Sequence, residues 1–285
     1  MGEIYNLEQK KSLIDILENS YEGSDKLLFH YTSLESACNI LSSNKLRLSN
    51  LVNMNDPLEF CRPDCFGFGD VKTDIMKKAM RELMASLQER ENKIRLICFC
   101  KDFYCKGEWN NENLQNYSSN LTFKGWARSR MWAQYADNHR GVCFVFNKSE
   151  FNDEFKKLAN NHIKILEPQK ITYTNYLNEL ESAMTDELNA KNHDSNFMHF
   201  YLDNERTKYL FQKSEDFRDE NEYRFVLIDD SLDSPKKDKF VDFGASLKAI
   251  ILGERFSPIL KFSLQNNIEQ FRINWHCGMP KLIKQ

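Results

Sequence analysis

Apolar and polar positions alternate along the chain with two periods. Leu7, Ile14 and Leu17 recur at helical spacing and predict a helix over residues 5–20. "LLFHYT", 27–32, is a short apolar run that reads as a buried strand. Thr32 with Glu35 three residues on is a capping box, opening a helix that ends near Asn44. "KLRLSN" alternates Leu46 and Leu48 against Arg47 and Ser49, the mark of a half-buried strand. In "NMNDPLEF", Asn55, Asp56 and Pro57 predict a turn whose side chains bond to the backbone; a ligand loop is the alternative.

Further on, Ile75, Met76, Ala79, Met80, Leu83, Met84 and Leu87 line one side of a helix over 72–90. "IRLICFC" is a strand, and 101–125 is a long polar loop of the kind that serves function or moves. "ARSRMWAQYADNHRG" predicts a helix closing on Gly141, with Trp132 and Tyr135 on one face. "VCFVF", "KITYT", "EYRFVLI" and "LKAIIL" read as strands. Helices are expected near 149–161, 175–190 and 196–212. Another opens at Ser257 and Pro258, over "SPILKFSLQNNIEQF", and "RINWHC" suggests a last strand.

Neither a repeat nor a glycine-rich phosphate loop interrupts this pattern, and no linker divides it. The expected fold is α+β, a central mixed or antiparallel sheet with packed helices, as a single domain over 1–285. Within it, 1–22 is an N-terminal helical stretch and 27–285 the remainder. With 285 residues and 41% hydrophobic content the chain can bury a sizeable core. A net charge of −3 gives no global attraction to nucleic acid or to an anionic membrane. "MGEIYNLEQKKSL" lacks the basic start and apolar run of an export signal, and no stretch reaches a membrane span, so a cytoplasmic location is expected. The eight cysteines are then expected as thiols, and their spacing matches no paired zinc pattern; no metal is expected.

Four places can carry chemistry. His30, beside Tyr31 and Thr32 at a strand end, is either a core histidine or a ring offered to a ligand. The "NDPLEF" turn is the second. Trp132 and Tyr135 either bury their rings or stack on a planar heterocycle, and Arg128, Arg130, His139 and Arg140 bracket their helix as phosphate contacts or a solvated face. The fourth is "DENEYRF". On one strand, Glu220, Glu222 and Arg224 would point the same way ~7 Å apart, as edge charges or as a site.

"LFHYTSLESACNILSSNKLRLSNLVNMNDPLEF", "MWAQYADNHRGVCFVF", "KSEDFRDENEYRFV" and "LKAIILG", in this order, resemble the bacterial family catalogued as domain of unknown function 2971. Where that family commonly has a tryptophan before its glutamates, this chain has Phe217. A strand histidine, an aromatic helix and a late strand glutamate are similar to the His–Tyr–Glu arrangement of ADP-ribosyltransferases. That second resemblance implies a split sheet and NAD as substrate. It casts Glu222 as the carboxylate under the ribose, Glu220 as the acceptor's base, and His30 on a ribose or the nicotinamide end. Tyr31, Thr32, Trp132 and Tyr135 would line the nucleotide. Arg47 or Arg140 would meet pyrophosphate, and Arg224 would hold the glutamates. An NAD-consuming toxin or phage-defence effector follows, acting on a protein or nucleic-acid acceptor, with an antitoxin or regulator as partner. The alternatives are an NAD glycohydrolase and a non-catalytic ligand-sensing or interaction module; a nuclease lacks clustered metal carboxylates.

Overall fold

A computed structural model describes residues 12–19, 24–60, 85, 89, 91–103, 124–174, 210–232, 237–260, 262 and 268–285. The strands are β1 (Leu27–Thr32), β2 (Lys45–Asn50), β3 (Ile94–Cys100), β4 (Val142–Asn147), β5 (Ile163–Ile165), β6 (Gln169–Lys170), β7 (Thr172–Thr174), β8 (Gln212–Ser214), β9 (Glu222–Asp229), β10 (Lys239–Asp242), β11 (Leu247–Leu252), β12 (Glu269–His276) and β13 (Met279–Lys284). With them go helices α1 (Leu13–Asn19), α2 (Leu34–Ser43), α3 (Ser129–Gln134) and α4 (Lys148–Lys156). The class is α+β, with mixed sheet pairing and helices packed on it. No described helix is long and apolar enough to cross a membrane.

The chain forms two compact units. One is built from Met1–Ser42, Cys100–Glu150 and Ala245–Gln285, the other from Ser43–Phe99 and Phe151–Gly244. In the first unit the strand order is β1-β4-β11-β12-β13, antiparallel except for β11 beside β12. Its core gathers Leu17, Phe29, Tyr31, Trp126, Trp132, Val145, Ile251 and Phe271. Gly141 is obligatory here, because a Cβ would sit 2.2 Å from the Thr32 carbonyl oxygen.

In the second unit the order is β10-β2-β3-β9, with β5 and β6 also on β9, and β7 and β8 form a separate parallel pair. One cluster joins Leu51, Ile94, Leu96, Leu166, Leu210, Phe211 and Val226. A second is aromatic: Phe225 meets Phe99, Phe151 and Phe155 edge-on, with ring centroids 5.7, 5.0 and 5.2 Å away.

Several local expectations shift. The cap of α2 is Ser33, whose hydroxyl accepts the Ser36 N–H at 3.2 Å; Thr32 stays in the ladder opposite Val142. Asn44 closes that helix at φ 58, the left-handed position that asparagine tolerates. The tryptophan helix stops at Gln134, and Asp137, Asn138 and His139 turn left-handed before Gly141. Glu269, Gln270 and Phe271, expected at the end of a helix, open β12 instead, where buried Phe271 and Ile273 keep a period of two. Of the helix expected over 72–90 only 85 and 89 are described, and both are helical. The helix near 175–190 and most of those at 196–212 and of the 101–125 loop lie outside the described residues; Gln212 opens β8.

Candidate functional site

Glu222 opens β9, and Arg224 follows on the same face, as the alternation predicts. Glu220 does not share the strand. It ends the 3₁₀ segment Glu215–Glu220, and Asn221, at φ 43, turns the chain into β9. None of the three is an edge charge: Glu220 and Glu222 are 3% exposed and Arg224 0%. Lys213, in β8, joins them. Its ammonium lies 2.6 Å from Glu220 Oε2 and 3.3 Å from Glu222 Oε2, with the Phe217 ring 4.5 Å away. Phe217 therefore supplies an aromatic face for the Lys213 cation.

Arg224 extends the cluster on the other side. Its Nε donates to Glu222 Oε1 at 2.6 Å and its Nη1 to the Leu210 carbonyl at 2.8 Å. Its Nη2 approaches Glu59 Oε1 at 2.5 Å, off the line of a hydrogen bond. The result is an alternating chain of buried charge: Glu59, Arg224, Glu222, Lys213, Glu220. Among the described residues, three carboxylates face two cations, an excess of one negative charge. Backbone bonds brace it. The Glu222 N–H donates to the Tyr173 phenol at 2.9 Å, and the Ser214 N–H to Asp56 Oδ2 at 2.7 Å.

Removing this many charges from water is costly unless each is paired. Burial alone would raise the Glu222 carboxyl. The Arg224 guanidinium, then the Lys213 ammonium, outweigh burial and hold it down at about 2. Burial lowers the Arg224 and Lys213 cations, but the acidic groups around them, Glu222 foremost, together more than reverse that for both. Glu59 goes the other way: burial raises it by more than Arg224 lowers it, and the Glu222 charge adds to the rise. Cys98 of β3, beside Glu222, is pushed well above the usual thiol range by burial. It is the protonated thiol that neighbours the carboxylate.

The other nominated residues divide between the units. His30, Tyr31, Thr32, Trp132, Tyr135 and Arg140 belong to the first. His30 is half-buried opposite Phe144. The Tyr31 phenol is buried and donates to the Gly125 carbonyl at 2.5 Å. Thr32 is buried at the end of β1. Trp132 is wholly enclosed, with Tyr31 edge-on at 5.1 Å and its Nε1 donating to the Trp126 carbonyl. Half-buried Tyr135 is the ring of that pair that reaches solvent. Arg140 is exposed and paired with Asp137. In the second unit, Arg47 is exposed beside Asp238.

Sequence reasoning named the "NDPLEF" turn, with a ligand loop as its alternative, but singled out neither Glu59 nor Lys213. One signal was present. Residues three apart on a 3₁₀ turn eclipse each other, so "DPLE" sets two carboxylates on one side of its turn. Among the described residues no group of histidine, cysteine, aspartate and glutamate is placed to hold a metal.

No curated protein and no solved structure matches the chain. Residues 131–225 match the family described as protein of unknown function, DUF2971, a stretch that includes Lys213, Glu220, Glu222 and Arg224 but neither His30 nor Glu59.

Proposed function

We propose that the protein is an NAD-consuming enzyme of the ADP-ribosyltransferase type, with the cluster around Glu222 as its reacting centre. One observation carries the reading: a buried carboxylate kept ionised, beside a second one on the same ammonium. The bond from ribose C1′ to the nicotinamide nitrogen breaks, and its electron pair leaves with nicotinamide. A cation develops on the sugar, where a fixed negative charge in a dry site is strongest. The acceptor's nucleophile then bonds to C1′ and releases its proton. Turnover needs Lys213 to yield Glu222 Oε2 to the ribose. The split sheet of that enzyme type, a protein or nucleic-acid acceptor, and a toxin or defence role belong to the same reading. With water as acceptor the protein is a glycohydrolase.

A non-catalytic ligand-sensing or interaction module is the second reading. It is favoured by the closure of the cluster: both Glu222 oxygens are held, and the side chain is 3% exposed. Incubation with NAD labelled on the adenine side separates the two. The enzyme reading expects free nicotinamide together with label on macromolecules of a cell extract, or free ADP-ribose in buffer alone. Intact NAD in both mixtures, with NAD still bound, selects the module.

A further inference from the structure

We propose that Glu59 holds a proton in the working state of the cluster and, through Arg224, positions the Glu222 carboxylate. The positioning role rests on the enzyme reading above; the proton does not.

The geometry leaves little else for Glu59 to do. It sits on the 3₁₀ turn Pro57–Phe60, and its side chain is 1% exposed. Neither of its oxygens receives an aligned hydrogen bond, and both are closed to water. Among the described residues, the charged groups facing it are Arg224 and Glu222 from β9 and Lys213 from β8. Arg224 already donates in line to Glu222 and to the Leu210 carbonyl, and Lys213 serves Glu220 and Glu222. Both cations are thus committed to the other two carboxylates, and the excess negative charge falls on Glu59. Asp56, on the same turn, is engaged by the Ser214 N–H. Both oxygens are closed to water, and one proton there brings the five side chains to neutrality. Burial acting against ionisation agrees with that assignment.

Proton loss would put a full negative charge beside the Arg224 guanidinium. The arginine would then be shared between two carboxylates instead of aimed at one. Because Arg224 sets the place of Glu222 Oε1, the Glu59 proton sets it too, without touching substrate. Glu59 is a positioning residue of this site, and its charge state makes the site pH-dependent.

The test uses the full chain with carbon-13 in its glutamate carboxyls. The Glu59 resonance is assigned by its loss in Glu59→Gln. The expected titration midpoint lies above the assay pH, so that Glu59 keeps its proton there. A midpoint below the assay pH overturns the proposal, whatever the protein does with NAD. Should Glu59→Gln not fold, Glu59→Asp, which also removes the labelled glutamate carboxyl, makes the assignment. In the activity arm, Glu59→Gln imitates the protonated acid. It should retain nicotinamide release and lose any decline that follows the Glu59 midpoint, whereas Glu59→Ala should lose about 10–100-fold in kcat with KM little changed. Equal loss in both variants removes the positioning role. No release from the wild type rejects the enzyme reading alone, and the proton assignment is then judged by the midpoint.

Discussion

Glu59 and Glu222 meet the same guanidinium and are displaced in opposite directions: at Glu59 burial, with the Glu222 charge, outweighs Arg224, whereas at Glu222 Arg224 and Lys213 together outweigh burial. Their contributions to stability therefore have opposite pH dependence. Glu222, held at about 2, stabilises the fold above the unfolded value of 4.5, and that is lost as pH falls toward 2. Glu59, raised, imposes no cost below 4.5, and stability is lost as pH rises through its folded value. Chemical denaturation across pH should show wild type losing stability at both ends. Glu222→Gln should cost about 3–5 kcal/mol near neutrality, since it leaves buried cations short of a partner, and should approach wild type as pH falls from 4.5 toward 2. A Glu222→Gln curve parallel to wild type throughout contradicts this. Asp56 acts locally: Asp56→Ala strands the Ser214 N–H and should cost about 1–3 kcal/mol, read by urea melts. The alternation of "EYRF" foretold the shared face of Glu222 and Arg224. It could not foretell burial, because the compensating ammonium of Lys213 stands on another strand, β8, and no alternation within "EYRF" points to it.

At the scale of elements, runs with a clean period were readable. β1, β2, β3 and β11 begin and end where their apolar runs do. Failures fell where a tertiary partner overrode the local signal. "SPILKF…IEQF" has helical spacing, yet its last residues pair in parallel with β11, as in Ala249 with Glu269. The hairpin of β12 and β13 was hidden by its turn. Cys277 and Gly278 both have positive φ, 50 and 78, between the paired residues His276 and Met279. That is the geometry for which Asn-Gly is the usual signal. Cys277→Asn should therefore raise the melting temperature, by about 0.5–1 kcal/mol of stability. An unchanged or lower value would mean the turn carries no strain.

The whole molecule is interleaved, and this was the least readable feature. Each compact unit is assembled from separated stretches of chain, so no composition shift or flexible linker marks a boundary. A fragment ending at Glu150 keeps β1 and β4 but lacks β11, β12 and β13 of the same unit. It should show no cooperative melting transition by circular dichroism; a sharp transition would contradict the interleaving. The nominated site residues are interleaved in the same way, six in one unit and Arg47, Glu220, Glu222 and Arg224 in the other. Spacing along the sequence could nominate them but not group them. The central claim concerns the second group, that its buried charges serve chemistry as well as architecture. Nicotinamide release from NAD tests it most directly, with wild type and Glu222→Gln compared at a temperature where circular dichroism shows both folded. Release by the wild type that is lost in the variant is the predicted result. Equal release by both, or none by the wild type with cell extract present, would contradict it and leave the cluster as a structural lock.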